Sequence, residues 1–281
     1  MSQDISIAII GSINLDIVAS VKKFPQPGET ITNATVNRFP GGKGANQALA
    51  AHRLGAKVYM VGRVGDDPLA DEATQTLRQE GVDLSYCKVL EACSTGLALI
   101  VVSESGENQI VVAPGANAVF NAEDLELPET DAIIAQLEVP VETILKAAVD
   151  NDSFFCLNAA PAKPVPDELL QHVDLLVVNE IEAQTLGAEL DSFTGLLATT
   201  YGGAGAELKQ HGKLIAKAKP PTVAVIDTTG AGDAFTAALT VALVSGKQPQ
   251  AALEYACIAG ALTTTKMGAQ SSPLAVELPD L

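Results

Sequence analysis

A chain of 281 residues, 47% hydrophobic and 18% charged, has enough apolar material for a sizeable core and reads as globular, not disordered. Asp and Glu number 34 against 17 Lys and Arg, and the net charge of −17, with a pI near 4.4, argues against nucleic acid or an anionic membrane as partner through a general surface field. Any phosphate must therefore be held locally.

In chain order, residues 5–10 form an apolar run that predicts a buried strand. Residues 13–21 and 30–39 are strand-like and are separated by the turn-rich Lys22-Lys23-Phe24-Pro25-Gln26-Pro27-Gly28, so they are expected to project from the main sheet as a β-lid. A helix opens at Gly41-Gly42-Lys43-Gly44 and runs to about Leu54, where Gly55 closes it. Further strands are predicted at 57–63, at 96–102 paired with 109–113 across Ser105-Gly106-Glu107, and at 132–137, 154–157, 175–178 and 195–199. Helices fall between them, which is the alternation of a doubly wound α/β fold with a mostly parallel sheet. With no long linker, tandem repeat or low-complexity stretch, residues 1–281 read as a single domain carrying the lid.

The start, Met1-Ser2-Gln3-Asp4, lacks a basic segment, and the run at 5–10 is too short for a signal core before Gly11, Asn14 and Asp16 intervene. No apolar run approaches membrane-spanning length. Cys87, Cys93, Cys156 and Cys257 form no Cys-x-x-Cys pair, and three scattered histidines offer no zinc site. Reduced thiols in a cytoplasmic protein are the expectation.

The residues most informative about chemistry are Asp227-Thr228-Thr229-Gly230-Ala231-Gly232-Asp233-Ala234-Phe235, which lead into an apolar helix reaching about Ser245. A Gly-Ala-Gly turn leaves backbone N–H groups uncovered, and the positive end of the helix dipole adds to them, so the turn suits a transferring phosphate with Asp233 beside the reacting phosphorus. A glycine-rich helix start with a carboxylate in its first turn is the plain alternative. In the first helix, Lys43 and Asn46 lie three apart on one face, and Lys, Asn and exposed amides suit a polyhydroxylated ligand. A solvated helix start explains Lys43 but not the three glycines. Asn14 and Asp16, two apart in an extended segment, point the same way and can take neighbouring hydroxyls, although turn chemistry explains Asn14 equally well. The chain is not a P-loop enzyme, because the Gly-Lys pairs at Lys43, Lys213 and Lys247 are followed by Gly44, Leu214 and Gln248. A dinucleotide fingerprint is also missing, since the first strand runs into Gly11-Ser12-Ile13-Asn14-Leu15-Asp16.

Together the stretches 41–55 and 227–235 resemble the N-terminal and C-terminal signatures of the ribokinase family of carbohydrate kinases, with intermediate landmarks in the family's order over nearly the whole chain. The resemblance implies a kinase that moves the γ-phosphoryl of ATP to the O5 of ribose, with Asp233 as base and the amides of Gly230, Ala231 and Gly232 as anion hole. It implies sugar contacts at Asn14, Asp16, Gly41, Gly42, Lys43, Asn46 and Glu138. Asn179 and Glu182, which a solvated helix start also explains, resemble the family's Asn-x-x-Glu motif, which positions magnesium-bound phosphates mostly through water. Thr200, Gly202 and Gly205 match its Thr-x-Gly-x-x-Gly nucleotide loop, where a bare hairpin turn would look much the same, and Cys257 falls against adenine. Asp227, Thr229, Gly268 and Ser272 match the segments that enclose a monovalent cation, expected to be potassium, with a loop capping the helix that ends near Lys266 as the plain alternative. A homodimer built through the lids is the implied assembly. Two departures stand out: the twelve residues 183–194 trim the nucleotide half, and Cys257 is a small hydrophobe where a polar residue is common. Kinases of 2-keto-3-deoxygluconate, fructose phosphate or nucleosides share the outer motifs, and a non-catalytic sugar-binding regulator is the alternative from another class.

Overall fold

A computed structural model describes residues 5–279, so the opening four residues, read above as lacking a leader, lie outside the described residues. The chain runs β1 (Ser6–Ile10), β2 (Asn14–Val21), β3 (Thr35–Gly41), α1 (Lys43–Arg53), β4 (Lys57–Gly65) and α2 (Pro68–Glu80). It continues through β5 (Cys87–Leu90), β6 (Gly96–Ser103), β7 (Asn108–Ala113), β8 (Ala132–Gln136), α3 (Val141–Val149), β9 (Phe154–Asn158) and α4 (Asp167–Leu170). Then come β10 (Leu175–Asn179), α5 (Glu180–Leu186), α6 (Glu189–Ser192), β11 (Leu196–Thr200), β12 (Ala206–Gln210), β13 (Lys213–Ala218), α7 (Ala231–Val244) and α8 (Pro249–Thr263).

Nine strands form one sheet in the order β13-β12-β11-β10-β9-β8-β1-β4-β5, parallel from β11 to β5 and closed at one edge by the antiparallel pair β12 and β13. Both faces are covered, which is why the central strands read as unbroken apolar runs and not as alternating ones. Along β1, Ile7 and Ile9 belong to the core shared with α1, α7 and α8, whereas Ala8 and Ile10 belong to the core shared with α3 and α4. Helix α7 is buried from Asp233 through Ala242, so it carries no solvent-exposed face there, and its alanines let α1 and α8 approach closely.

The smaller sheet departs from expectation in two respects. It has four strands, ordered β3-β2-β6-β7, so the hairpin of β6 and β7 belongs to the lid as well. Its strand β3 begins at Thr35 and not at residue 30, because its pairing with β2 runs from Asn14↔Gly41 to Ser20↔Thr35 and β2 ends at Val21. In this register residues 30–33 lie beyond the end of β2, and only Val21 is left opposite residue 34. The trimmed stretch 183–194 holds the end of α5 and the four-residue α6, with no strand between α5 and β11. No helix among the described residues is long and apolar enough to cross a membrane, and all four cysteines are free thiols.

Candidate active site

The parallel strands of the main sheet deliver polar residues at their carboxyl ends, where open α/β sheets bind ligands. Strand β1 turns through Gly11 and Ser12 into β2, and α1 starts against that turn: a Cβ on Gly44 would lie 2.6 Å from the Gly11 carbonyl carbon. Gly42 has φ 89°, and a Cβ there would lie 2.8 Å from the Ser12 carbonyl oxygen. A Cβ on Gly41 would lie 2.6 Å from Cγ of Asp16, so this glycine makes room for the carboxylate itself. The glycine run thus lets α1 bring Lys43 and Asn46 to Asn14 and Asp16.

Helix α7 brings the second motif to the same place. Gly230 caps it in the left-handed conformation (φ 79°), and Asp233 in the first turn is only 6% exposed. Asn46 Nδ2 donates to Asp233 Oδ2 at 2.9 Å, which joins the two glycine motifs across 187 residues of sequence. Asn46 Oδ1 is buried and accepts no hydrogen bond, an acceptor suited to a hydroxyl of a bound ligand. Glu138, just past β8, accepts from the Lys43 amide at 3.2 Å and from the Ser12 hydroxyl. Asn179 caps α5, accepting from the Glu182 amide at 2.9 Å, while Glu182 Oε2 accepts from the Asn179 amide at 2.7 Å.

Burial and mutual repulsion shape the electrostatics. Burial, with repulsion from Glu138 and Asp233, pushes the Asp16 carboxyl up to about 7. Burial also raises Asp233, against the pull of Lys43 and the hydrogen bonds from Asn46 and Gln47. Glu182 is raised by burial, partly offset by the Asn179 amide and Lys43. Lys43 is held charged, above the usual ammonium range, chiefly by Asp233. A buried site with more carboxylates than lysines favours a bound cation and ligands rich in hydroxyl donors.

Beside this cluster lies a cavity of about 540 Å³, lined by Thr200, Gly202, Gly205, Ala231, Gly232 and Cys257 among others. Its size and its predominantly apolar wall fit a nucleotide base and sugar. The loop 201–205 is the turn that joins antiparallel β11 and β12, so the hairpin alternative and the nucleotide-loop alternative describe the same residues. Gly232 faces open space, with nothing within 4 Å of a Cβ built there, which leaves its backbone uncovered.

The candidate cation residues are only partly brought together. Asp227 Oδ1 accepts from the Thr229 amide (2.9 Å) and hydroxyl (2.6 Å), and Oδ2 accepts from the Gly268 amide (2.9 Å). Burial raises this carboxyl, but those bonds outweigh it and hold it below the usual range. Ser272 is engaged elsewhere: its carbonyl and hydroxyl oxygens accept from Arg53 Nη1 at 2.9 and 3.4 Å.

Several buried polar residues escaped the sequence. Asn117 Nδ2 donates to Asn14 Oδ1 at 2.8 Å and fixes that amide, while Gln47, Gln136 and Asn158 meet around Asp233. A signal existed for the last two, since each ends an otherwise apolar strand at the sheet's carboxyl edge.

The profile of the pfkB family carbohydrate kinases matches residues 4–275. The chain is 39% identical to the ribokinase of Bacillus subtilis over 94% of both sequences. Its structure superposes on a crystal structure of ribokinase from Thermotoga maritima with a TM-score of 0.89 at 32% identity, covering 97% of each chain. Arabidopsis thaliana ribokinase complexed with ribose and ATP gives a TM-score of 0.87 at 29% identity, covering 98% of this chain and 97% of that one.

Proposed function

Because the chain belongs to the pfkB family of carbohydrate kinases, we propose that it phosphorylates ribose at O5 with ATP, giving ribose 5-phosphate and ADP. The observation that carries this reading is the bond from Asn46 to Asp233, which puts a buried carboxylate of the phosphate-binding helix among Asn14, Asp16, Lys43 and Glu138, groups that match a row of sugar hydroxyls. The relatives named ribokinase, and the plant one complexed with ribose and ATP, support it.

In this reading Asp16, Asn14, Asn46 and Glu138 orient the sugar, and its O5 hydroxyl takes the place of the Asn46 amide on Asp233 Oδ2. Asp233 accepts the hydroxyl proton as the oxygen bonds to the γ-phosphorus and the bond to the bridging oxygen of ADP breaks. The amides of Gly230, Ala231 and Gly232, at the positive end of α7, stabilise charge on the transferring group, that of Ala231 by exchanging its 3.3 Å bond to the Thr228 carbonyl for one to the phosphate. Glu182 and Asn179 would hold magnesium through water, and the ion would supply positive charge that neutralises the nucleotide phosphates. Thr200, Gly202 and Gly205 would hold the nucleotide, with Cys257 against the base.

The monovalent cation stays part of the proposal through Asp227, the Thr229 carbonyl and Gly268. Ser272 joins them only if its hydroxyl turns from Arg53. We take the chain as one α/β domain with the four-stranded sheet as lid, assembled as a homodimer through the lids in a reducing cytoplasm. Exposed Val36, Leu99, Ile110, Val111 and Val112 on the lid support that assembly, since such apolar surface needs cover. The deciding experiment measures ATP consumption against a sugar panel, with magnesium and with or without potassium. Ribose should give the highest kcat/KM, well above 2-deoxyribose, whose missing hydroxyl strands a buried polar group at about 1–3 kcal/mol. Equal rates for the two, or a preference for a hexonate or nucleoside, would remove ribose as the substrate.

A further inference from the structure

Around Asp233 runs a chain of buried amides that none of the motifs assigned. Gln47, wholly buried on α1, donates from Nε2 to Asp233 Oδ1 at 2.9 Å and to Asn158 Oδ1 at 3.1 Å. Its Oε1 accepts from Gln136 Nε2 at 2.6 Å. Asn158 Nδ2 in turn donates to the Val177 carbonyl at 3.2 Å.

The direction of every amide in this chain is forced. A backbone carbonyl only accepts, so Asn158 must turn its NH2 to Val177 and its oxygen to Gln47. Gln47 must then present its NH2 to Asn158, and the same NH2 faces Asp233. A flipped Gln47 would set its oxygen against a carboxylate and its NH2 against that of Gln136. With Oε1 and both Nε2 hydrogens engaged, Gln47 has nothing left to offer a substrate. Asn46 differs, because its Oδ1 is unpartnered and its bond to Asp233 Oδ2 can be exchanged for one to a ligand.

We infer that Gln47 is a positioning residue for the base: it holds Asp233 Oδ1 as a fixed donor, so that Oδ2 alone faces the substrate hydroxyl, and Gln136 and Asn158 set its orientation. The inference rests on Asp233 acting as the base. The other charged groups around Asp233 are Lys43 on α1, Asp16 on β2, Glu138 after β8 and Glu182 on α5. All are present in every variant compared below, so a change confined to Gln47 variants reports on the amide.

The test is the pH profile of kcat, with ribose and ATP saturating, for the parent and for Gln47→Met, Gln47→Glu and Asp233→Asn. Losing a donor to the carboxylate favours its protonated form, so Gln47→Met should move the acid limb of kcat up by about one pH unit. At pH 7 its kcat should fall by roughly 10- to 100-fold, partly recovered at pH 9, with the ribose KM changed by less than about threefold. Gln47→Glu keeps the shape but sets an acid against Asp233, and its acid limb should move further in the same direction. An unmoved acid limb, or a loss expressed in KM, overturns the inference. If Gln47→Met does not fold, Gln47→Glu carries the test, and if neither folds, Gln47 is a core residue and the inference also falls. Near-normal turnover by Asp233→Asn would instead refute the base assignment on which the inference rests.

Discussion

Two carboxylates at this site share burial but not hydrogen-bond donors. As the proposed base Asp233 must ionise to accept a proton; burial raises its carboxyl, and Lys43 and two amide donors oppose that rise. Asp233→Asn preserves shape while removing the base, so kcat should fall by roughly 10²–10⁴ with ribose affinity little changed, as read by steady-state kinetics and calorimetric titration. Asp16 has no such donors and sits at about 7. A carboxyl that holds its proton more tightly folded than unfolded adds stability below its unfolded value of about 3.8, and that stability is lost as pH rises through about 7. Asp16→Asn should therefore unfold at a higher temperature than the parent at pH 8, with the gain shrinking toward pH 4.5, and should bind ribose more weakly. Thermal melts across that range check it, and a pH-independent difference would show that Asp16 is not the titrating group. In the parent, kcat/KM for ribose should climb with pH as Asp16 ionises. Gly41 serves the same carboxylate: Gly41→Ala places a methyl against Asp16, and the cost should appear in ribose KM before it appears in kcat.

At the scale of elements, the lid is the least self-sufficient part of the molecule. Every residue of β7 is exposed, and Val36 on β3 joins Ile110, Val111 and Val112 in leaving large apolar side chains uncovered. A small sheet with this much apolar surface is marginal alone, and a second copy of it is self-complementary by symmetry. Sedimentation at micromolar concentration should give a dimer, and Val111→Glu should shift it toward monomer while leaving the main sheet's stability unchanged. A monomeric parent, or a dimer indifferent to that charge, would mean the lid is covered in another way. The rest of the fold was largely legible element by element: α1 and α7 begin at their glycines and end within a residue or two of expectation, because capping and burial are local signals. The lid was half legible. Its strands are patterned, but which sheet β6 joins depends on a parallel pairing with β2 that no local pattern encodes.

For the whole molecule, a net charge of −17 repels the nucleotide it is proposed to use. In the proposed reading the phosphates are held by local amides and magnesium and not by a field of surface cations, so screening should help and not hinder. Raising ionic strength from about 10 to 150 mM with a bulky organic salt, at constant potassium, should leave the KM for ATP unchanged or lower it. A steep rise would reveal phosphate contacts through exposed cations. The sequence by itself determined the class of molecule, the two glycine motifs and the residue types flanking them, because turn chemistry, helix starts and apolar runs are written in neighbouring residues. Only the tertiary structure decided that Gln136 and Asn158 meet at Gln47 and Gln47 at Asp233, that Asn117 fixes Asn14, and that Ser272 faces Arg53. Those contacts join residues from 89 to 219 positions apart, and they exist because a parallel sheet collects its strand ends along one edge, which no stretch of sequence specifies alone.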